Sequence, residues 1–174
     1  MMSDDLLTIE QRESRDQLFM ARALELATAA GSEGEVPVGA VVVCGDKIVA
    51  EASNQPIGQC DPTAHAEIVA MRRAAQAIGN YRLVDCELFV TLEPCAMCAG
   101  AMVHSRIKRL VFGALEPKAG AVISNVQLLS AAHNNHHPDV TAGVLAEQSG
   151  KLLSDFFQQR REAKRALRDS LKNR

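Results

Sequence analysis

Apolar residues recur with helical spacing in two stretches of the chain, residues 16–30 and 62–79, and each stretch meets a glycine at its end. That pattern predicts two amphipathic helices, because apolar positions three or four residues apart lie on one helix face. A third helix is predicted to begin after Pro94 and to run to about Ser105, since proline is favoured at a helix start. The chain from about Ala146 onwards predicts a long C-terminal helix.

Short apolar runs predict the strands, which are residues 38–44, 47–52, 87–92 and 109–113. The Gly45-Asp46 step between the first two runs predicts a tight turn, so these two strands form a hairpin. Residues 114–138 are rich in His, Asn and Gly and are expected to be irregular. Strands and helices that alternate at these lengths predict an α/β sandwich with helices packed on a sheet.

One domain accounts for this pattern, because 174 residues is an ordinary domain length and the chain has no repeat or long linker. The predicted domain covers residues 16–174. Residues 1–15 are predicted to form an acidic N-terminal extension that is free to be flexible. An apolar content of 47% is enough for a core that needs no disulfide bonds.

Charge is concentrated at the C-terminal end, although the whole chain has a net charge of only −2. Residues 160–174 contain seven bases and two acids, which is a net charge of +5. Such a segment either attracts a polyanion or forms a solvated helix face. Charge alone leaves both interpretations open.

The N-terminus lacks the basic start of a signal peptide, and no apolar run approaches the roughly 20 residues of a membrane helix. The five cysteines are an odd number, which is typical of reduced thiols rather than of a disulfide framework. We therefore expect a cytoplasmic protein without a membrane partner, in which some cysteines have a metal-binding or catalytic role.

Two short motifs carry the candidate chemistry, His65-Ala66-Glu67 and Pro94-Cys95-Ala96-Met97-Cys98. Cys95 and Cys98 are one turn apart at a predicted helix start, where the helix dipole favours thiolates, so both sulfurs can bind one ion. His65 would supply a third ligand and leave one position of a tetrahedral zinc site open, as in catalytic zinc sites. A Cys-x-x-Cys pair alone also fits a redox pair or half of a zinc ribbon, but a ribbon needs a second such pair, and the sequence has none.

Glu67 is the candidate proton carrier. Two residues separated by two positions on a helix point about 200° apart, so we expect Glu67 to approach from another side than His65 and not to bind the ion. A carboxylate there can take a proton from a metal-activated water and deliver it to a leaving amine. The two motifs together are a known signature of zinc-dependent nucleobase deaminases.

The sequence around these motifs resembles the cytidine deaminase superfamily and, within it, the bacterial tRNA-specific adenosine deaminase family. The similar stretches cover most of the chain and are residues 35–40, 54–58, 61–67, 80–83, 91–102, 104–107 and 153–157. The resemblance implies a three-layer α/β/α sandwich around a central mixed sheet of about five strands. The chain departs from the family pattern at Cys60, where some relatives have His, and at Glu116, where many have Asp and which Pro117 follows.

The resemblance further implies hydrolytic deamination of adenosine to inosine at the wobble position of a tRNA anticodon, with one Zn2+ per subunit and no nucleotide cofactor. It implies a homodimer that binds the anticodon stem-loop and takes one flipped base into the zinc pocket. By similarity, the residues that contact the base or the RNA are Asn54, Val36, Ile57, Ala66, Asn135, Phe157, Arg160 and Arg161. The basic C-terminal segment then fits RNA binding better than a solvated face.

Two other functions remain open at this point. A deaminase of free cytidine, guanine or another small nucleobase would share the zinc site but would not need the basic helix with Phe157. A zinc-stabilised RNA-binding module would not need Glu67, because a structural metal site has no use for an acid that is not a ligand. A second metal site at His133, His136 and His137 is not favoured, since no cysteine or acid accompanies them at a fixed spacing.

Overall fold

The computed structural model describes residues 8–172. Its elements, in chain order, are α1 (Ile9–Ser32), β1 (Gly39–Cys44), β2 (Lys47–Ser53), α2 (Pro56–Gln59), α3 (Ala66–Ile78), β3 (Cys86–Leu92), α4 (Ala96–Ser105), β4 (Arg109–Ala114), a 3-10 turn (Leu128–Ser130), β5 (Asp139–Ala142) and α5 (Ala146–Lys172). None of the described helices is both long and apolar enough to cross a membrane.

The five strands form one mixed sheet in the order β2-β1-β3-β4-β5. β1 is antiparallel to β2 and to β3, and the predicted hairpin is formed with Gly45 at a positive φ of 61°. β3, β4 and β5 are parallel. Helix α4 connects the parallel strands β3 and β4, so its N-terminus lies at the carboxyl end of β3.

Side chains alternate across the sheet, and this alternation builds the layers. On one face, Val41, Val43 and Phe89 pack against Phe19 and Met20 of α1. The strand residues between them form a second, larger core with α3 and α4 on the other face. Helix α5 packs on β4 and β3 beside α1. The predicted three-layer α/β/α sandwich around a five-stranded mixed sheet is confirmed.

Helix α1 begins at Ile9, earlier than the predicted start at residue 16. The Thr8 hydroxyl accepts a hydrogen bond from Gln11 N, and the Gln11 side chain accepts one from Thr8 N, which is a capping box. Residues 9–14 are exposed, so apolar spacing does not reveal these first turns. The predicted boundary between extension and domain therefore falls inside α1, and residues 1–7 of the extension lie outside the described residues.

The remaining differences from the predicted elements have local causes. Strand β5 is not located by apolar spacing, because it is a short edge strand whose side chains are mostly exposed. Helix α3 begins at Ala66 rather than at residue 62, because Asp61 accepts hydrogen bonds from the backbone and hydroxyl of Thr63 and folds this stretch into a turn. Residues 114–138 are irregular as expected, apart from the 3-10 turn.

A buried network of charges joins α1 to the sheet. The Arg109 guanidinium on β4 donates hydrogen bonds to the carboxylates of Asp16 and Glu87 and to Thr141 Oγ1. Arg15 binds the other oxygen of Glu87 at 2.7 Å. Asp16, Glu87 and Arg109 are 3%, 2% and 7% exposed, so each charge depends on its partners rather than on water.

Replacing Arg109 by Met is expected to destabilise the fold by about 3–5 kcal/mol. The buried carboxylate of Asp16 loses its hydrogen-bonded cation, and Arg15 is left near it at the longer distance of 4.0 Å. Urea unfolding followed by circular dichroism measures the change. The control is Arg165→Met, an exposed position on α5, which is expected to change the unfolding free energy by less than about 0.5 kcal/mol. A loss below about 1 kcal/mol for Arg109→Met would contradict the assigned role.

Candidate active site

Two helix N-termini converge beyond the carboxyl end of β3 and bring the metal-ligand candidates together. His65 immediately precedes α3 and has an extended backbone, with φ −68° and ψ 150°. Cys95 immediately precedes α4, and Cys98 lies in the first turn of that helix. A bridge between Cys95 and Gly120 holds the start of α4 against the following loop.

The three candidate ligand atoms form a small triangle. His65 Nδ1 lies 3.7 Å from Cys95 Sγ and 3.6 Å from Cys98 Sγ, and the two sulfurs are 3.8 Å apart. In a tetrahedral site with Zn–S bonds of about 2.3 Å and a Zn–N bond of about 2.0 Å, two sulfurs are about 3.8 Å apart and a sulfur and a nitrogen about 3.5 Å. The triangle therefore fits one tetrahedral zinc ion with a fourth position left over. Within residues 8–172 it is the one group of three His, Cys or acidic side chains close enough to share an ion.

The interactions within the triangle favour a thiolate at Cys95. Hydrogen bonds with Cys98 and His65 lower the pKa of the Cys95 thiol to about 3. The bond to Cys95 in turn raises the pKa of Cys98, which is also buried, and raises the pKa of His65. A dication held by all three atoms would remove this asymmetry, because a coordinating thiol loses its proton.

Glu67 lies in the first turn of α3 and is only 4% exposed. Burial raises the pKa of its carboxyl above the ordinary value, and the neighbouring His65 opposes that rise. The expected 200° separation of Glu67 from His65 assumed that both residues are helical. His65 instead precedes the helix with an extended backbone, and both residues line one cavity. Glu67 is nevertheless not part of the ligand triangle.

A cavity of about 230 Å3 adjoins the triangle. It is smaller than the roughly 300–1,000 Å3 of pockets for drug-sized ligands, so it suits a compact group such as one base. Its wall is formed by Val36, Val38, Asn54, Pro56, His65, Glu67, Leu92, Glu93, Cys95, Glu116 and Ala119. Val36 and Asn54, both predicted to contact the base, are in this wall. Ile57 is 60% exposed and lies outside it, and the neighbouring Pro56 lines the cavity instead.

Asn54 has a second task that fixes its orientation. Its side-chain oxygen accepts a hydrogen bond from Ala66 N at 2.9 Å, which is one of the first N–H groups of α3 and has no acceptor within the helix. The side-chain NH2 is therefore the group that Asn54 can offer to the cavity. Ala66 is fully buried, its N–H is bound to Asn54, and it is not in the cavity wall. The contact of Ala66 with the base stays a prediction.

Glu93 is a site residue that the sequence did not reveal. Its carboxylate is 2% exposed and accepts hydrogen bonds from the backbone N–H groups of Glu116, Val122, Ile123 and Ser124 and from the Ser124 hydroxyl. Burial alone would raise the pKa of Glu93, but the bonds from Ser124, Glu116 and Ile123 outweigh it and lower the pKa to about 2. Glu93 thus remains charged and fixes the loop after β4.

The loop held by Glu93 forms one side of the cavity, because Glu116 and Ala119 belong to the cavity wall. Gly120 lies directly against Glu93, and a Cβ there would clash with the carboxyl group. The one signal in the sequence was an acid at the end of an apolar strand, immediately before Pro94. The role of this acid depends on backbone N–H groups that come from an irregular segment. The spacing of residues in the sequence does not predict the positions of such groups.

A groove of about 520 Å3 adjoins the cavity and shares Leu92 and Glu116 with it. Phe157 and Arg161 of α5 line this groove, and Phe157 is 43% exposed. Arg160 is not in the groove: its guanidinium lies over the ring of Phe156, 5.5 Å from the centroid. Of the three α5 residues predicted to meet RNA, two are therefore beside the cavity.

Asn135 is not brought to the cavity with the other predicted residues. Arg106, which follows the last turn of α4, donates hydrogen bonds to Asn135 Oδ1 and to its carbonyl oxygen. The 10 residues of α4 separate this contact from Cys95 by about 15 Å along the helix. The nearby histidines are structural, since His136 and His137 bind the backbone carbonyls of Ile107 and Leu129.

A buried acid beside a His-Cys-Cys triangle, on a mixed sheet covered by helices, defines the class of nucleobase deaminases. Residues 13–161 match the family of MafB19-like deaminases. The chain is 52% identical to the tRNA-specific adenosine deaminase of Haemophilus influenzae, over 93% of this chain and 94% of that protein. It is 43% identical to the tRNA-specific adenosine deaminase of Bacillus subtilis, over 91% and 98%. The chain belongs to the tRNA-specific adenosine deaminase family.

Two solved structures share the fold, and the first of them agrees with this assignment. A structure from a study of A-to-I editing by tRNA:A34 deaminases at the wobble position of transfer RNA superposes with a TM-score of 0.77 at 45% identity, covering 78% of this chain and 99% of that chain. A guanine deaminase from Nitrosomonas europaea superposes with a TM-score of 0.67 at 23% identity, covering 90% and 98%. The second likeness shows the fold alone.

Replacing Glu93 by Ala is expected to destabilise the protein by at least about 2 kcal/mol, because several buried N–H groups lose their acceptor. Limited proteolysis is expected to cut first within residues 115–125. Thermal unfolding and mass spectrometry of the fragments measure the two effects. Glu13→Ala, at an exposed position on α1, is the control and is expected to behave like the parent protein. Unchanged stability and unchanged cleavage would show that the loop is held by other contacts.

Proposed function

We propose that this chain is a zinc-dependent hydrolytic deaminase that converts adenosine to inosine at the wobble position of a tRNA anticodon and releases ammonia. The observation that carries the proposal is Glu67, a buried acid that lines the base-sized cavity beside the His65–Cys95–Cys98 triangle without belonging to the triangle. A purely structural metal site has no need of such an acid. The choice of a tRNA adenosine as substrate is supported by the relatives, which are tRNA-specific adenosine deaminases.

The reaction replaces the 6-amino group of adenine with oxygen from water, so a C–O bond forms at C6 and the C–N bond to the amino group breaks. One zinc ion per chain, held by His65, Cys95 and Cys98, would supply Lewis-acid activation of the water. Of the two protons of that water, one ends at N1 of inosine and the other leaves with the amino group as ammonia. The Glu67 carboxylate carries the protons, and its burial supports this role by raising its pKa above the ordinary value of a glutamate.

The cavity supports recognition of one base taken out of its stack. Asn54 offers its side-chain NH2 as a donor, because its oxygen is held by Ala66, and Val36 supplies apolar surface against the ring. A volume of about 230 Å3 leaves no room for neighbouring nucleotides. The base must therefore be flipped into the cavity while the rest of the loop stays outside.

The groove beside the cavity favours RNA over a free nucleobase. Phe157 offers an exposed ring for stacking, and Arg161 offers a cation for a phosphate, which are the groups used to bind unpaired RNA. A free base would use neither. The guanine deaminase likeness at 23% identity does not favour the free-base alternative, because it extends only to the fold.

Two further parts of the proposal concern assembly and location. We propose a homodimer, as the resemblance implies. The exposed apolar side chains of Ile123 and Val140, which share one surface depression at the open edge of β5, support such a contact. We also propose a cytoplasmic location. All five cysteines are free, which suits a reducing compartment.

The test compares substrates and one isosteric variant. Zinc-loaded protein is expected to form inosine in a tRNA with adenosine at the wobble position and to leave free adenosine, cytidine and guanine unchanged. Glu67→Gln keeps the shape of the side chain but removes the proton carrier, so kcat is expected to fall about 10²–10⁴-fold while the zinc content stays the same. Inosine is measured by mass spectrometry of digested RNA, and zinc by elemental analysis.

Glu13→Gln is the matched control, since Glu13 is exposed on α1, and it is expected to keep full activity. The proposal fails if the parent protein makes no inosine in any such tRNA, or if it acts strongly on a free base. Equal activity of Glu67→Gln would refute the role of Glu67. Loss of zinc in that variant would mean that Glu67 is a ligand.

A further inference from the structure

The end of helix α5 extends away from the body of the protein. Phe156 is the last buried residue of the helix, and every residue from Phe157 to Lys172 is exposed. At about 1.5 Å per residue, this exposed part is roughly 24 Å long. No other element among residues 8–172 covers it, so it is open to a partner along its whole length.

Five of the six cations of this part of the helix lie on one face, which we name the basic stripe: Arg161, Lys164, Arg165, Arg168 and Lys172. The sixth, Arg160, lies outside it, over the ring of Phe156. At about 100° per residue, these five side chains fall within a sector of roughly 100°. The acids Glu162 and Asp169 fall on the adjoining sector. Of the five cations of the stripe, only Arg168 forms an ion pair with another described residue, Asp169 at 3.6 Å. The rest of the stripe keeps its charge available to an anion.

The basic stripe is continuous with the groove beside the cavity. Arg161 belongs to both, because it lines the groove with Phe157 and lies next to Lys164, Arg165 and Arg168 on the helix. The groove in turn shares wall residues with the cavity. The cavity, the groove and the basic stripe are therefore adjacent in this order. An RNA strand with one base in the cavity can pass through the groove and reach the stripe.

We propose that the basic stripe binds the sugar-phosphate backbone of a double-helical RNA segment next to the loop that enters the cavity. The proposal rests on the proposed function, which makes a folded RNA the substrate. Two features favour a duplex over unpaired RNA. Helix α5 has no aromatic residue after Phe157, so unpaired bases find no ring to stack on. The stripe is also straight and carries only cations, which suits phosphate contacts that do not depend on base sequence.

The test removes the charge of the stripe without touching the cavity or the groove. The stripe variant carries Lys164→Gln, Arg165→Gln, Arg168→Gln and Lys172→Gln. The control variant carries the same number of neutralised cations at exposed positions elsewhere, Arg12→Gln, Lys47→Gln, Arg72→Gln and Lys151→Gln. Two RNAs are compared, an anticodon stem-loop hairpin and an unpaired oligonucleotide with the same loop sequence. Both carry inosine at the wobble position, so no turnover occurs while fluorescence anisotropy measures Kd.

The stripe variant is expected to bind the hairpin at least about tenfold more weakly at physiological salt, and its slope of log Kd against log salt is expected to fall by about 3. Its affinity for the unpaired oligonucleotide and its kcat are expected to stay within about twofold of the parent values. The control variant is expected to keep the larger part of the hairpin affinity and of the salt slope.

Three results would overturn the proposal. An unchanged Kd for the hairpin would show that the stripe does not meet the duplex. Equal losses for the hairpin and the unpaired oligonucleotide would assign the stripe to the loop instead. A change of oligomeric state in sedimentation, which the exposed Leu167 and Leu171 beside the stripe would allow, would make it a contact between copies of the chain. Failure of the proposed function is distinguishable, because it appears as a lack of inosine formation by the parent protein.

Discussion

The convergence of two helix N-termini at the carboxyl end of β3 is the constraint on which the site depends. It sets the 3.6–3.8 Å triangle of His65, Cys95 and Cys98, and it puts Glu67 in the first turn of α3 beside that triangle. Helices α3 and α4 pack against each other and on the same face of the sheet, and Ala70 of α3 and Ala99 of α4 are fully buried in one core. Both N-termini also contribute partial positive charge, which favours the thiolate form of the cysteines. This charge does not attract a cation directly, but the thiolates that it stabilises can bind one.

The end of β3 serves both the metal triangle and the substrate cavity. Leu92 lines the cavity and the groove, Glu93 fixes the loop after β4, and Cys95 begins α4 as a metal-ligand candidate. A shift of this strand end would therefore disturb three features together: the metal-ligand triangle, the substrate cavity and the groove that leads to the basic stripe. The opposite side is held in a comparable way, because the buried Glu35 accepts a hydrogen bond from Gly58 N at the end of the segment that carries Pro56.

The sequence predicted best what depends on local spacing. The α/β sandwich follows from strand and helix patterns, and the convergence of His65 with the two cysteines follows from short motifs. The three layers and the five-stranded mixed sheet were implied by the family resemblance. Glu93 was missed because its partners come from irregular backbone more than twenty residues away. The resemblance suggested Asn135 as an RNA contact, and its hydrogen bonds to Arg106 place it near the end of α4 rather than at the cavity. Its contact with RNA stays a prediction. The start of α1 was missed because its first turns are polar. Polar turns do not show the recurrence of apolar residues every three or four positions by which a helix is recognised.

Titration of metal-free protein with Zn2+, read out as inosine formed in a wobble-adenosine tRNA, tests the central claim most directly. Activity is expected to rise in proportion to added zinc and to level off at one equivalent per chain. Cys98→Ala is expected to bind no zinc and to stay inactive, whereas Cys60→Ala, at an exposed cysteine outside the triangle, is expected to follow the parent curve. Full activity of the metal-free protein in chelator, or zinc-dependent activity retained by Cys98→Ala, would contradict the account.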